Sequence, residues 1–450
     1  MKSDIPISYA SMLYIDSTNN SRNISKGRMH TSPLWYLLLS LILVLPASLL
    51  SAQEPSRHTI EEIQQLGLQA NGLVQAARSQ VNIAEANVVS ASAFRNPEVT
   101  FMVGPQNNRL PSSVTGPSNN QREVTVSQPI ENPFLRSARI GSAEAGVEAN
   151  QANLDQVRAN LSARLRVSAY ELLLRQEQAH METSVHDLME EIRRRIQVSV
   201  EVGESARFEL IRADTEVLTA ASRMEAAHLN AERARVALIQ LTAGALPMNF
   251  EINASLSDPV VFPTLDILRE QVPNINPEII RLEAEQNRAR LRIDQARASV
   301  LPSLNILFSN YQDAQFSSNT AGVNVEIPIF YRRRGEIDGA IYESARVRET
   351  LDYRRFEIGQ QLESAWQAKQ IAFRRVEMYE SGIITEAELA LNIAQTAYRL
   401  GERSFMEVLD THRVLRGVLS DFLQARFELQ SAATEIDRLR AHYPKEQILE

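Results

Sequence analysis

The 450-residue sequence contains no cysteine. Disulfides, cysteine-pair redox chemistry and a lipid-modified N-terminal cysteine are therefore excluded. The same lack fits an exported protein without disulfides and many cytosolic proteins, so it fixes no compartment. Histidine is scarce. His58, His180, His186, His228, His412 and His442 are scattered without metal-ligand spacing. No glycine-rich phosphate loop and no nucleophile motif occurs. The expectation is a non-enzyme with no cofactor and no metal site. No basic block interrupts the interspersed arginines and glutamates, and the net charge is −8, so no nucleic-acid partner is expected. Beyond the N-terminal region no segment reaches 18 consecutive apolar residues, so no transmembrane helix is expected there.

Proline is missing from two long stretches, Pro133 to Pro247 and Pro328 to Pro444. Both are rich in Ala, Glu, Arg, Leu and Gln, all helix formers. At 44% hydrophobic and 23% charged, the composition is that of a folded chain, long enough for two or three ordinary domains.

Lys26, Arg28 and His30 precede the apolar run Leu34 to Leu45, and small residues follow to Ser51-Ala52. A basic start, a short apolar stretch and a small-residue exit describe a secretory signal; an uncleaved anchor is the alternative. Residues 1–28 are polar, and Met29 is the expected true start. Residues 1–52 are set apart as extension and signal.

The rest says nearly the same thing twice. Asn71 to Pro97 aligns with Asn276 to Pro302 at an offset of 205, and the segment from Gly203 aligns with that from Gly401 at an offset of 198. The first repeat is assigned to 53–250, with strands 97–104 and 122–129 and a helical hairpin 134–243. The second is assigned to 251–443, with strands 302–311 and 321–328 and a hairpin 330–441, before a tail at 444–450.

Apolar residues recur every seven positions at Leu210, Val217, Met224, Ala231 and Leu238, and again at Val408, Leu415, Phe422, Leu429 and Ile436. Ile140, Val147, Leu154 and Leu161 form a third series. A sustained seven-residue period packs helices side by side. It does not choose between a coiled coil, a bundle and a barrel of helices. The spacing predicts one helix from Arg136 to about Val200 and another from about Arg334 to Arg399. Each ends at a glycine, Gly203 or Gly401, the usual stop. Shorter helices are predicted over 71–94 and 277–300, the second opened by Asn276-Pro277-Glu278.

Four segments alternate. Val99, Phe101 and Val103; Val124 and Val126; Leu304, Ile306 and Phe308; and Val323, Val325 and Ile327 each give one apolar face. Strands of this length cross an outer membrane when tilted. Four cannot close a barrel, and open edges are not tolerated in lipid. Two copies would supply eight strands and three would supply twelve. A soluble sheet packed on its own helices is the alternative.

The turn Tyr398-Arg399-Leu400-Gly401-Glu402-Arg403-Ser404-Phe405-Met406-Glu407-Val408-Leu409-Asp410, its partner Val202-Gly203-Glu204-Ser205-Ala206-Arg207-Phe208-Glu209-Leu210 and the internal repeat resemble the TolC-type outer membrane efflux proteins over residues 55–443. Arg95-Asn96-Pro97-Glu98 is closer to the heavy-metal-efflux branch. The resemblance implies a mainly α fold with a membrane β-barrel. It implies a homotrimer with one twelve-stranded β-barrel in outer membrane lipid and an α-helical barrel reaching into the periplasm. It implies a passive exit duct of a tripartite efflux pump or type I secretion system, joined to a periplasmic adaptor and an inner membrane transporter of the RND or ABC type. Glu407 and Asp410 match an acidic ring at the periplasmic entrance; a solvated helix face is the plain reading of both. Tyr398, Arg403 and Glu209 match an entrance latch, with Arg403 expected to pair with Glu209. Phe208 stands where the family can have a hydroxyl acceptor. Gly203, Glu204, Ser205, Gly401, Glu402 and Ser404 match the tips that meet the adaptor. A periplasmic coiled-coil adaptor is the second reading of the whole chain.

Overall fold

Thr59 opens the first helix with a reciprocal cap: its Oγ1 accepts from Glu62 N at 3.2 Å, and the Glu62 carboxylate accepts from Thr59 N at 3.0 Å. The computed structural model describes residues 56–105, 120–313 and 316–444, all within one unit. The signal expected within 1–52, most of the loop between the first two strands and nearly all of the 444–450 tail lie outside the described residues.

A two-residue strand β1 (Arg57–His58) precedes helices α1 (Ile60–Ala70) and α2 (Gly72–Ser92). Strands β2 (Glu98–Pro105) and β3 (Asn120–Ile130) follow. Then come the long helix α3 (Pro133–Glu201) and the return helix α4 (Arg207–Leu241). The second copy repeats this order as β4 (Glu251–Ile252), α5 (Leu265–Ile275), α6 (Pro277–Ala298), β5 (Ser303–Gln312), β6 (Ser317–Glu326), α7 (Arg334–Met378), α8 (Ile384–Arg399) and α9 (Phe405–Leu439). Helix α3 has 69 residues, which is about 100 Å at 1.5 Å per residue.

Two differences from the sequence expectation stand out. The second long helix is not continuous. A π turn at Tyr379–Ile383 separates α7 from α8. Ser381-Gly382 lies inside it, and a Gly/Ser pair is a frequent cause of such a break. Tyr379 packs on Phe422 with ring centroids 5.9 Å apart, and Glu380 accepts from Arg426 at 2.9 Å, so the turn is anchored to α9. Helices α1 and α5 were also not foreseen. They are set off from α2 and α6 by Asn71 and Asn276, whose side-chain oxygens cap the helix that follows. The same two asparagines donate through Nδ2 to the Leu241 and Leu439 carbonyls, tying each short helix pair to the end of its own hairpin.

The sheet runs β2-β3-β5-β6, antiparallel throughout. Val99 faces Val126, Val126 faces Phe308 and Phe308 faces Ala321, so one apolar row crosses all four strands. The opposite face carries the row Thr100, Thr125, Ser309 and Thr320, with Thr125 donating to Ser309 at 3.1 Å. The apolar face is bare. Val99, Phe101 and Val103 are 63–65% exposed, and Val323 is 61% exposed. This rules out the soluble alternative, in which that face would pack on the helices of its own chain. Strands β2 and β6 are its open edges.

Among the described residues, three apolar clusters hold the helices together. Leu161, Leu165, Tyr170, Leu238 and Phe250 centre the first, and Leu268, Ile279, Leu351, Leu362 and Ile436 centre its counterpart in the second copy. The third joins both hairpins near their turns. Leu154, Leu161, Ala231, Leu238, Phe422, Leu429 and Ile436, all from the seven-residue series, are buried.

Candidate functional site

The two turns share one construction. Gly203 (φ +82°) donates to Val200 O and Glu204 donates to Ser199 O. Gly401 (φ +75°) donates to Tyr398 O and Glu402 donates to Ala397 O. Each is a Schellman stop, in which a left-handed glycine satisfies the last carbonyls and reverses the chain. Beneath the turns, Met189, Ile192 and Ile196 of α3, Ala213 of α4, Leu391 of α8 and Phe405, Val408 and Leu409 of α9 form the third cluster.

This packing sets the faces of α9. Phe405, Val408 and Leu409 point inward, so Glu407 and Asp410 share the exposed side. Neither is a bare charge. Arg403 Nη1 lies 2.9 Å from Glu407 Oε2, and Arg413 Nη1 lies 3.4 Å from Asp410 Oδ1. Within one chain each acid of the expected ring therefore has an arginine beside it. Arg403, in the turn that precedes α9, pairs with Glu407 in the first turn of that helix rather than with Glu209, the partner expected from the sequence.

Tyr398 packs on Phe405, with ring centroids 6.1 Å apart. Burial, and then the charge of Glu209, push its phenol above the ordinary value. The structure thus brings Tyr398 and Glu209 into one electrostatic neighbourhood, while Arg403 pairs with Glu407. The tip residues Gly203, Glu204, Gly401, Glu402 and Ser404 are exposed, and Ser205 is half-buried, its hydroxyl donating to Ser199 Oγ at 3.0 Å.

The polar links between the hairpins lie further from the turns. Arg413 of α9 donates to Glu216 of α4, and Arg416 Nε of α9 donates to Glu182 Oε1 of α3 at 2.8 Å. Glu182 is 6% exposed, and its Oε2 has no partner among the described residues. His412, also buried, sits in the same group. Burial first, then Arg416, depress its pKa, while Glu182 and Glu216 pull weakly the other way. Sequence reading missed this buried cluster. The signal was present, because Glu182 falls four heptads after Leu154, on the apolar seam of α3.

The model of the family described as "Outer membrane efflux protein" matches residues 63–244 and 268–442. The chain belongs to the outer membrane efflux protein family. The two matched segments are the two structural copies. Cobalt-zinc-cadmium resistance protein CzcC of Cupriavidus metallidurans is 25% identical over 383 residues, covering 85% of this chain and 89% of that protein. Nickel-cobalt-cadmium resistance protein NccC of Alcaligenes xylosoxydans is 28% identical, covering 71% of each. Among solved structures, a CusC channel superposes with a TM-score of 0.74 at 16% identity, covering 85% of this chain and 92% of that one. The CmeC outer membrane channel of Campylobacter jejuni gives 0.72 at 16% identity, covering 86% and 87%. The fold is that of the TolC-like channels, and this efflux protein is an outer membrane protein.

Proposed function

We propose that three copies of this chain form the exit duct of a tripartite efflux pump. The bare apolar sheet face with two open edges carries this reading. A membrane-facing sheet must close, and three copies supply twelve strands with every edge paired. The helices support the same count. Ile211, Leu218, Leu229 and Val236 leave an uncovered apolar seam on α4, and Phe356, Ile371, Leu389 and Ile393 leave another on α7 and α8. Such seams are covered by a neighbouring copy. A periplasmic adaptor has no use for a lipid-facing sheet, which disfavours the second reading.

The duct is passive. Transport energy comes from an inner membrane transporter of the RND or ABC type, and a periplasmic adaptor meets the tips at Gly203, Glu204, Ser205, Gly401, Glu402 and Ser404. At the entrance Glu407 and Asp410 repeat as rings of three carboxylates, which favour cations at a narrow point. Arg403 and Arg413 mask them at rest. Tyr398, beside Glu209 of the other hairpin, and Arg403, held on Glu407, form the latch whose release widens the entrance. The similarity to cobalt-zinc-cadmium and nickel-cobalt-cadmium resistance proteins supports divalent metal cations as the cargo.

Membrane fractionation tests the duct. A heat-modifiable trimer in the outer membrane is expected, together with greater sensitivity to cobalt, zinc and cadmium when the gene is deleted. A soluble periplasmic monomer would overturn the reading.

A further inference from the structure

Between α2, α3 and α6 lies a cavity of about 400 Å³. Three guanidinium groups line it, those of Arg139, Arg288 and Arg292, and no carboxylate does. Its remaining walls are amides, a serine, alanines and Gly146. Arg139 is committed elsewhere, because its guanidinium is forked on the Glu131 carboxylate and donates to Ala91 O at 2.9 Å. Arg288 is not. Its Nε is buried without an acceptor among the described residues. Other arginines with a buried Nε reach an acceptor through another nitrogen, as Arg166 does with Asp437 and Arg426 with Glu380. Glu285, the one carboxylate that acts on Arg288, is already held by Arg281 at 2.7 Å. Burial and the like charge of Arg292 both depress the Arg288 pKa.

The Arg288 guanidinium lies beside Gly146 of α3, where an added Cβ would stand in ordinary contact 3.5 Å from Cζ. Arg288 is half-buried with its Nε enclosed, and Arg292 is exposed beside it; a partly desolvated cation without a counter-charge is met by an anion whose oxygens suit a planar fork.

We propose that this cavity binds a phosphate group through Arg288 and Arg292. Its position indicates the source. Arg139 stands seven residues past Asn132, where β3 hands over to α3, about 10 Å along the helix. A second cavity lies against the end of the sheet, between Ile130, Leu301 and Leu304, and shares Arg139, Arg292 and Gln295 with the first. An anionic phospholipid of the periplasmic leaflet would place its phosphate in the arginine cavity and its glycerol end towards the sheet. The lipid source rests on the membrane placement proposed above; the phosphate site does not.

The test uses the full chain, purified in uncharged detergent, stripped of lipid and titrated at constant ionic strength. The probes are inorganic phosphate and phosphatidylglycerol in mixed micelles, with phosphatidylcholine as the lipid control. The thermal unfolding midpoint is the readout. Phosphatidylglycerol is expected to raise it at lower concentration than phosphatidylcholine. Replacing Arg288→Gln and Arg292→Gln together should raise the half-saturating concentration at least tenfold. Arg288→Lys keeps the charge, loses the fork and should fall between; it serves if the double variant does not assemble. Inorganic phosphate acting as strongly as phosphatidylglycerol assigns the site to free oxyanions and leaves the site itself standing. The proposal is overturned if neither phosphate nor phosphatidylglycerol moves the wild type, or if the wild type and the variants titrate alike. An assembled structure with a carboxylate of a neighbouring copy on Arg288 would overturn it equally.

Discussion

Asn276 donates to the Leu439 carbonyl at 3.0 Å through Nδ2, while its Oδ1 accepts from the Glu278 and Ile279 amides. One buried side chain thus starts α6 and holds the end of α9. Asn276→Ala should remove a cap and a buried bond together, about 2 kcal/mol. Asn71, its counterpart, makes the matching bond to the Leu241 carbonyl but accepts from the Leu73 amide alone, in a more exposed setting, and Asn71→Ala should cost about 1 kcal/mol. Thermal midpoints of the purified protein check the order; equal losses would show that packing outweighs the shared bonds.

Helices α4 and α9 end in Schellman turns that carry alanine where the tips carry glycine. Ala243 has φ +52° and Ala441 φ +51°. A left-handed alanine is strained by about 1 kcal/mol, only partly offset by the greater chain entropy of glycine. Ala243→Gly and Ala441→Gly should each raise stability by a few tenths of a kcal/mol, and Gly203→Ala and Gly401→Ala should lower it by about 1 kcal/mol. Guanidinium unfolding midpoints decide; a loss on Ala→Gly contradicts the strain argument.

The Glu182–Arg416 pair is a poor stabiliser that is expensive to break. Glu182→Ala leaves a half-buried guanidinium without its partner and should cost about 2–3 kcal/mol. Glu182→Leu combined with Arg416→Met should restore most of that loss, since an apolar pair of similar volume suits the surrounding seam. A double-mutant cycle measures the coupling; additive losses would deny it.

His412 gives the hairpin region an acid sensitivity. Its folded pKa lies below the unfolded value, so the unfolded chain takes up the proton first. The neutral side chain's full contribution is present above the unfolded pKa, near 6.5, and is lost as pH falls towards the lower folded value. His412→Gln should flatten the decline in thermal midpoint between about pH 7 and pH 5. Parallel curves for variant and wild type would place the decline elsewhere.

Arg403 shields Glu407. Arg403→Ser with Tyr398→Phe should raise single-channel conductance and cation preference in planar bilayers. Adding Glu407→Gln should weaken the preference, leaving the Asp410 ring, and keep the larger conductance. An exposed pair of this kind contributes only about 0–1 kcal/mol, so thermal stability should barely change. Unchanged conductance would count against the latch.

Much of the architecture was legible because the repeat displays every signal twice. The heptads of α4 and α9 and the alternation of Val99, Phe101 and Val103 describe long-range packing through local periods. The interruption at Ser381-Gly382 was not legible in the same way. Both residues sit within a strong helical pattern, and the anchoring by Phe422 and Arg426 comes from a distant helix. Helix α1 was announced by Thr59 and Glu62, a local signal that sequence reading passed over. On α9, the shared face of Glu407 and Asp410 followed from spacing alone. The partner of Arg403 did not, because Glu209 and Glu407 offer the same chemistry and only the fold decides which is nearer.

The π turn at Tyr379–Ile383 makes the two hairpins mechanically unequal. In an unbroken α-helix every backbone bond shares a bending load, so α3 behaves as a stiff beam along its whole length. The second hairpin has a flexure built into one arm, pinned to α9 by an aromatic contact and one ion pair. The break in the backbone ladder at Gly382 should therefore make the half of the chain bearing Glu407 and Asp410 easier to bend than the half bearing Glu209.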